Sequence, residues 1–159
     1  ITKATDKGAK LISVDPRRVY VQTPEDTTHA TIPTAYPGPG GELYCWYQCT
    51  VKGGREGRDV DVVQLVKSCE ELGAGEILLN CIDRDGTNSG FDLELINMVK
   101  VAVSIPVIAS SGAGIAAHFV DVFKQTTTDA ALAAGIFHRQ EVSIREVKDA
   151  VRSAGIETR

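Results

Sequence analysis

Several apolar runs of the chain end in residues that could bind or transform a small molecule. Asp15 follows the run Lys10–Val14, and Asp83-Arg84-Asp85-Gly86-Thr87 follows Glu76–Ile82. An aspartate directly after a buried strand can act as a general acid or base, with a pKa set by its surroundings. The same residue can also form a turn or cap a helix, so Asp15 carries both interpretations.

The segment Ser110-Ser111-Gly112-Ala113-Gly114, which follows another apolar run, has the composition of a phosphate-binding turn. Small residues let backbone N–H groups approach an anion, and a helix that starts there adds partial positive charge. Ala134-Gly135 could supply a second set of donors. Two tight turns would explain the same residues without a ligand. Because G-x-G-x-x-G and G-K-[ST] are both missing, a dinucleotide or triphosphate site is not predicted.

The remaining carboxylates have less defined chemistry. Asp83-Arg84-Asp85-Gly86 resembles the start of a calcium loop, but its glycine is at the fourth position instead of the sixth. If strand geometry extends through Asp83 and Asp85, both side chains face the same way. Glu76 begins an apolar strand at the end opposite the presumed site, where its charge needs a partner or water. A surface charge is the alternative interpretation of Glu76.

Cysteine and histidine give no metal or nucleophile pattern. The four cysteines are too sparse for a disulfide framework, and a reducing compartment fits them best. Cys69 and Cys81 lie in periodic apolar segments and are predicted to be buried thiols. Cys45 and Cys49 lack the second pair that a zinc site needs. The three histidines, His29, His118 and His138, share no ligand spacing. No metal and no cofactor are therefore predicted.

The elements that must position these residues alternate between strands and helices. Four βα units are predicted, with strands that start near Leu11, Ile77, Val107 and Ala131, which implies an α/β fold with a parallel sheet. Ligands of such sheets bind at the carboxyl ends of the strands. The pattern fits half of a (β/α)8 barrel or an open doubly wound sheet, and does not separate them.

Three segments complete the predicted elements. Thr23–Glu42 is a polar excursion rich in Pro, Thr and Gly, and Tyr44–Val51 is the returning strand. A helix is expected to open at Asp59. Further helices are predicted over Leu93–Val103, Ala116–Lys124 and Ile144–Ala154.

Composition excludes several classes of protein. The 159 residues are 43% hydrophobic and carry a net charge of −4, which fits one globular domain and not a disordered chain. No apolar run approaches the roughly 18 residues of a membrane helix. The acidic balance argues against nucleic-acid binding. The start Ile1-Thr2-Lys3 leads us to expect a piece of a longer or processed protein.

Taken together, five segments resemble the cyclase part of imidazole glycerol phosphate synthase, an enzyme family of histidine biosynthesis. The resembling segments are Ser13–Val19, Lys52–Arg55, Gly73–Thr87, Pro106–Gly114 and Ala130–His138. The resemblance covers nearly the whole chain and is nearest to the fused glutaminase–cyclase form of eukaryotes. It implies a partial cyclase domain over residues 1–159, corresponding to the C-terminal half (strands five to eight) of a (β/α)8 TIM barrel, with residues 23–42 as a long loop insertion.

The resemblance also implies a lyase reaction. The family uses ammonia from glutamine to convert a bisphosphorylated aminoimidazole-carboxamide ribonucleotide into imidazole glycerol phosphate and an aminoimidazole carboxamide ribotide. Asp15 matches one of two acid–base aspartates, and the other is absent here. Asn80 matches a substrate-facing position, and Glu76 a charged ring where ammonia enters. Positions that line one phosphate site match Asp85, Gly86, Ser110, Gly112, Ala134 and Gly135.

Two departures from the resemblance bear on the phosphate site. Many members have Gly where this chain has Ser111, and Ser where it has Gly135. The loss of a hydroxyl at 135 leaves backbone donors in place.

The implied partners are the substrate, ammonia, an N-terminal half-barrel and a glutaminase domain, fused or separate; neither nucleic acid nor membrane is implied. The implied compartment is the cytoplasm, with a plastid as the alternative. The chain alone is expected to be inactive and to self-associate through its open sheet edges. Two alternatives stay open: a non-catalytic phosphosugar-binding half-barrel, and the related sugar isomerase of the same pathway.

Overall fold

The computed structural model describes residues 10–159. Ile1–Lys3, on which the expectation of a longer protein rests, lie outside the described residues. In chain order the strands are β1 (Leu11–Val14), β2 (Pro16–Val21), β3 (Thr31–Pro33), β4 (Tyr44–Val51), β5 (Glu56–Asp61), β6 (Glu76–Asn80), β7 (Val107–Ser110) and β8 (Ala130–Ala131). The α-helices are α1 (Val62–Glu71), α2 (Leu93–Ala102), α3 (Ala116–Gln125), α4 (Gly135–His138) and α5 (Ile144–Ser153).

Four strands form a parallel sheet in the order β1-β6-β7-β8. Their register pairs Val14 with Leu79 and Asn80 with Ser110, so the carboxyl ends of β1, β6 and β7 share one edge. The α/β class and the parallel sheet are therefore confirmed. Each new strand lies beside the previous one with no reversal of direction along the sheet, whereas a doubly wound sheet reverses its strand order at a switch point.

The connection between β1 and β6 contains a second, antiparallel sheet. β4 lies between β2 and β3, and β5 pairs with the end of β4. The polar excursion Thr23–Glu42 thus includes β3 and a 3-10 turn at Pro24–Asp26. Strand β4 has the bounds predicted for it, and its aromatic and β-branched residues favour a strand.

The prediction that Asp59 opens a helix is wrong. Residues up to Asp61 belong to β5, and α1 begins at Val62. Asp61 is the N-cap, since its carboxylate accepts a hydrogen bond from the Gln64 backbone N–H at 2.8 Å while the Gln64 side chain accepts one from the Asp61 N–H. Pairing with β4 therefore continues to Asp61, so the first apolar residue of the helical pattern, Val60, belongs to the strand.

The core lies between the parallel sheet and its helices. Ile77, Leu79, Val107 and Ala109 of β6 and β7 are fully buried or nearly so. These residues alternate with half-buried ones along each strand, as expected where only one face of the sheet packs against helices of the same chain. Helices α1 and α2 pack together, as do α3 and α5.

Candidate functional site

A polar cluster joins the carboxyl ends of β1 and β6. The side-chain amide of Asn80 donates hydrogen bonds to Asp15 Oδ1 at 2.8 Å and to Ser13 Oγ at 2.9 Å. The Ser13 hydroxyl also approaches Asp15 Oδ1, at 3.3 Å. One carboxylate oxygen of Asp15 is therefore held by neighbours, and within residues 10–159 the other oxygen has no hydrogen-bond partner. A carboxylate oriented in this way can accept or deliver a proton in a defined direction.

The backbone of Asp15 is fixed by the antiparallel sheet. Its carbonyl oxygen accepts hydrogen bonds from the Thr50 backbone N–H at 3.1 Å and from the Thr50 hydroxyl at 2.6 Å. The next residue, Pro16, cannot donate a hydrogen bond and pairs with Cys49 at the start of β2. Asp15 therefore lies at the junction of the two sheets, which restrains its position from both sides.

A cleft of about 160 Å³ opens beside the ends of β7 and β8. All six residues that the resemblance assigns to a phosphate site line it. The lining consists of Asp85, Gly86, Asn88, Ser110, Ser111, Gly112, Ala113, Leu132, Ala133, Ala134, Gly135, Ile136 and Arg139. The structure thus brings together residues from three loops, from Asp85 to Arg139, that are up to 54 positions apart in the sequence. The other three predicted site residues, Asp15, Asn80 and Glu76, do not line this cleft.

Two glycines of the 110–114 loop are required by its close packing against the 88–90 loop. Gly112 has φ +96°, and a Cβ there would collide with the carbonyl oxygen of Gly90. The Gly90 N–H donates a hydrogen bond of 2.8 Å to the Gly112 carbonyl. A Cβ at Gly114 would collide with the backbone of Asn88. The glycine pattern, which predicts an open anion cradle, therefore also serves to dock the 88–90 loop against the 110–114 loop.

Ser111 adopts a left-handed backbone conformation, with φ +74°. A residue with a Cβ pays a conformational cost there that glycine does not. Ser110, in contrast, is the buried last residue of β7. The two adjacent serines therefore differ in conformation and in exposure.

The two aspartates that follow β6 do not share one face. The chain forms a 3-10 turn at Ile82–Arg84, so strand geometry ends before Asp83. Asp83 accepts a hydrogen bond of 2.7 Å from the Arg18 backbone N–H, while Asp85 lines the cleft. Asp83 therefore attaches the 82–84 turn to β2, and only Asp85 remains available at the cleft.

Glu76 lies at the opposite end of β6 from Asn80. It is the first residue of that strand, pairs with Leu11 and is half-buried. At about 3.3 Å per residue, roughly 13 Å of strand separates it from the Asp15–Asn80 cluster. The sequence places it at the strand entrance, and the structure agrees.

A buried ion pair between Arg18 and Asp92 was not found from the sequence. The Arg18 guanidinium donates to both oxygens of Asp92, with Nε–Oδ2 at 2.9 Å and Nη2–Oδ1 at 2.8 Å. Burial opposes the charge of Arg18, but Asp92, together with Tyr47 and Cys45, outweighs that effect and raises the arginine pKa above its ordinary value. Asp92 also accepts a hydrogen bond from Tyr47 and caps α2 through the Leu95 N–H. An aspartate just before a helical pattern was the available signal for the cap.

The same arginine attaches the 23–42 excursion to α2. Arg18 Nη1 donates to the Thr34 hydroxyl at 2.6 Å, and its Nη2 lies 2.9 Å from Glu94 Oε2. Glu94 accepts further hydrogen bonds from Thr34 Oγ1 and the Ala35 N–H, both at 2.8 Å. The polar composition of this segment indicates a loop, and these partners are available to it only in the tertiary structure.

All four cysteines are buried free thiols. Burial raises the pKa of Cys45 to about 11 and that of Cys49 to about 12, so both remain protonated. The prediction that Cys69 and Cys81 are buried is confirmed. Within residues 10–159 no group of three or more potential metal ligands comes together.

His29 belongs to the antiparallel sheet region. Its ring stacks on Trp46 at 3.9 Å between centroids, and its Nε2 lies 2.8 Å from an oxygen of Asp59. His118 accepts a hydrogen bond from the Gly114 N–H, 3.0 Å from its Nδ1. These two histidines thus have structural partners in separate parts of the fold.

The sequence over residues 11–143 matches the family described as "Histidine biosynthesis protein". The chain belongs to this histidine biosynthesis family. The family is of the TIM-barrel type, which agrees with the parallel sheet and its strand order. The similarity that the motifs indicate is confirmed by curated relatives.

The chain is 64% identical over 155 residues to imidazole glycerol phosphate synthase hisHF of Emericella nidulans, an alignment of 98% of this chain and 28% of that protein. It is 55% identical over 159 residues to the chloroplastic hisHF of Arabidopsis thaliana, covering 100% of this chain and 27% of the relative. Subunit HisF of Methanobrevibacter smithii is 40% identical over 158 residues, covering 99% and 56%. The chain thus spans about a quarter of the hisHF relatives and about half of the HisF relative.

No helix within residues 10–159 combines the length and the apolar character needed to cross a bilayer.

Proposed function

We propose that the chain is the C-terminal half, strands five to eight, of the (β/α)8 barrel of an imidazole glycerol phosphate synthase cyclase. The unreversed strand order β1-β6-β7-β8 supports this assignment, because a barrel adds each strand beside the last. So does the match to about half of a HisF subunit. β1 and β8 are the edge strands of the described sheet, and the exposed side chains Leu11 and Leu132 lie in or next to them. A second half-barrel would pair with these edges and cover them.

The reaction that we propose is the cyclase and lyase step. Ammonia derived from glutamine attacks a bisphosphorylated aminoimidazole-carboxamide ribonucleotide, and imidazole glycerol phosphate and an aminoimidazole carboxamide ribotide are released. The observation that carries this proposal is the Asp15–Asn80 hydrogen bond of 2.8 Å at the carboxyl ends of β1 and β6. Catalytic groups of (β/α)8 enzymes occupy this end of the sheet.

In the proposed mechanism Asp15 transfers protons to and from the reacting atoms. Asn80 positions that carboxylate, since its amide does not titrate in the working pH range and offers a fixed donor. The cleft lined by Asp85, Gly86 and Ser110, together with Gly112, Ala134 and Gly135, would hold one terminal phosphate of the substrate. A phosphate anchored in this cleft would orient the rest of the molecule.

The two proposed partner domains would contact different parts of the sheet. A glutaminase domain, fused or separate, would deliver ammonia at the amino ends of the strands, where Glu76 begins β6. The N-terminal half-barrel would supply the second acid–base aspartate. We place the protein in the cytoplasm, with a plastid as the alternative that the chloroplastic plant relative supports.

The test is ammonia-dependent turnover of the bisphosphorylated substrate by the chain alone and by the chain mixed with an N-terminal half-barrel. We expect activity only in the mixture, and a loss of about 10²- to 10⁴-fold in kcat for Asp15→Asn. Asp149→Asn removes a carboxylate from α5 and serves as the matched control.

A mixture that forms a folded complex and stays inactive would sink the catalytic proposal. The remaining candidate would be a non-catalytic phosphosugar-binding half-barrel, which the cleft favours because all six residues of the implied phosphate site line it.

A further inference from the structure

Arg139 is a cation at the phosphate cleft that the sequence motifs do not include. Among the described residues that line the cleft, it is the only one with a positively charged side chain. It follows α4 directly, at the C-cap of that helix. Asp85 lines the same cleft and would repel a phosphate, so an anion there needs a compensating cation.

The guanidinium of Arg139 has one occupied edge and one free edge. Its Nε and Nη2 bind the two oxygens of Glu141, at 2.6 Å and 2.9 Å. Within residues 10–159 its Nη1 has no hydrogen-bond partner. Because a guanidinium presents five N–H donors in a planar fork, the Nη1–Nη2 edge can still bind two oxygens of a phosphate.

Gly135 makes room for this free edge. A Cβ built at Gly135 would lie 2.7 Å from Arg139 Nη1, closer than real atoms approach. The glycine therefore lets the guanidinium lie against the backbone of the cleft wall. The three heavy atoms nearest to that Cβ all belong to the Arg139 guanidinium.

We propose that Arg139 is a phosphate ligand of this cleft, held in position by Glu141 and admitted by Gly135. The proposal rests on the proposed function, which supplies a substrate with a terminal phosphate. Glu141 orients the guanidinium but also competes with the phosphate for the same cation, and in this exposed pair the competition outweighs the orientation. Removing the arginine and removing its partner should therefore change phosphate affinity in opposite directions.

The experiment is isothermal titration of inorganic phosphate into the complete protein that contains this chain, at constant ionic strength. Arg139→Gln should weaken phosphate binding about tenfold or more, since hydrogen bonds to charged groups have that effect. Glu141→Gln should tighten binding about threefold, because a weak exposed ion pair no longer competes. Arg152→Gln removes an arginine of similar exposure from α5 and should leave the affinity within twofold.

Gly135→Ala provides an independent test that keeps both charges. The added Cβ meets only the end of a flexible side chain, so the protein should fold while Arg139 is displaced and phosphate binding weakens severalfold. Circular dichroism of each variant checks that the fold is retained.

Two results would overturn the proposal. If Arg139→Gln leaves phosphate affinity within twofold, or if Glu141→Gln weakens it as much as Arg139→Gln does, the pair is only a structural ion pair. In that case the cleft and the proposed function stand. If the unaltered protein binds no phosphate, the phosphate site of the proposed function fails, and this inference fails with it.

Discussion

The Asn80 amide and the Asp15 carboxylate form a hydrogen bond of 2.8 Å between the carboxyl ends of β6 and β1. The two residues are 65 positions apart in the sequence, and parallel pairing of Val14 with Leu79 brings them together. The pairing converts a single aspartate into an oriented group. It also gives the proposed mechanism a residue whose role can be separated from that of the acid–base carboxylate.

We expect Asn80→Ala to lower kcat about 10- to 100-fold in the assembled barrel, with a smaller change in KM. The carboxylate would lose its fixed donor and sample unproductive orientations. Ser13→Ala is the matched control: the Ser13–Asp15 contact is longer, at 3.3 Å, so the loss should be only a few fold. Steady-state kinetics measures both. Equal losses for the two variants would contradict the positioning role of Asn80.

The approach of the 110–114 loop to the 88–90 loop predicts a large cost for Gly112→Ala. We expect the free energy of unfolding to fall by about 2–4 kcal/mol, from the left-handed φ and the collision with Gly90 together. Gly41→Ala is the control, because Gly41 has a similar φ of +84° and open space around it. The Gly41→Ala change should lower the free energy of unfolding by only about 1–2 kcal/mol.

Urea denaturation of the complete protein measures the two glycine variants side by side. If Gly112→Ala costs no more than Gly41→Ala, the two loops do not pack as closely as the structure has them.

The buried Arg18–Asp92 pair predicts strong energetic coupling. Arg18→Met should cost about 3–5 kcal/mol of unfolding free energy, because it leaves a buried carboxylate without its cation. The double variant with Asp92→Asn should cost about 2 kcal/mol less than the sum of the single changes. As a control, Arg58→Met breaks an exposed pair with Glu56 and should cost under about 1 kcal/mol. Additive costs for Arg18 and Asp92 would disprove the coupling.

The hydrogen bonds of Asp129 predict that this residue contributes to the pH dependence of the unfolding free energy at acid pH. Burial works against its charge, but hydrogen bonds from Lys100 at 2.7 Å and the Val107 N–H at 2.8 Å lower its pKa below the ordinary value of an aspartate. A group with a lowered folded-state pKa stabilises the protein above its unfolded-state value, and this stability is lost as pH falls through the folded-state pKa. The contribution should be at most about 1 kcal/mol, since the side chain is 44% exposed.

Asp129→Asn should therefore lower stability at pH 6, and the difference from the unaltered protein should close as pH falls below about 4. Thermal unfolding between pH 2 and pH 6 measures this, with the exposed Asp149→Asn as the control. A difference that stays constant over the whole range would show that charge is not the cause.

Local patterns predicted most of the elements. The bounds of β4 and the start of α2 and α3 follow from composition and periodicity, because these signals depend on neighbouring residues. Strand β5 was missed since its sequence, Glu56–Asp61, is polar and is stabilised by pairing with β4. The short helix α4 was also missed, because four residues are too few for a helical period.

The sequence alone determined the α/β class, the parallel sheet and the family, because apolar periodicity and short motifs are local and specific. Tertiary structure alone decided which polar groups meet. It joined Asn80 to Asp15, assigned Asp83 to β2 and left Asp85 at the cleft. It also brought Arg139 to the wall beside Gly135. The physical reason is that hydrogen bonds and ion pairs act over a few ångströms between residues far apart in the sequence, so their partners are defined only when the strands pair.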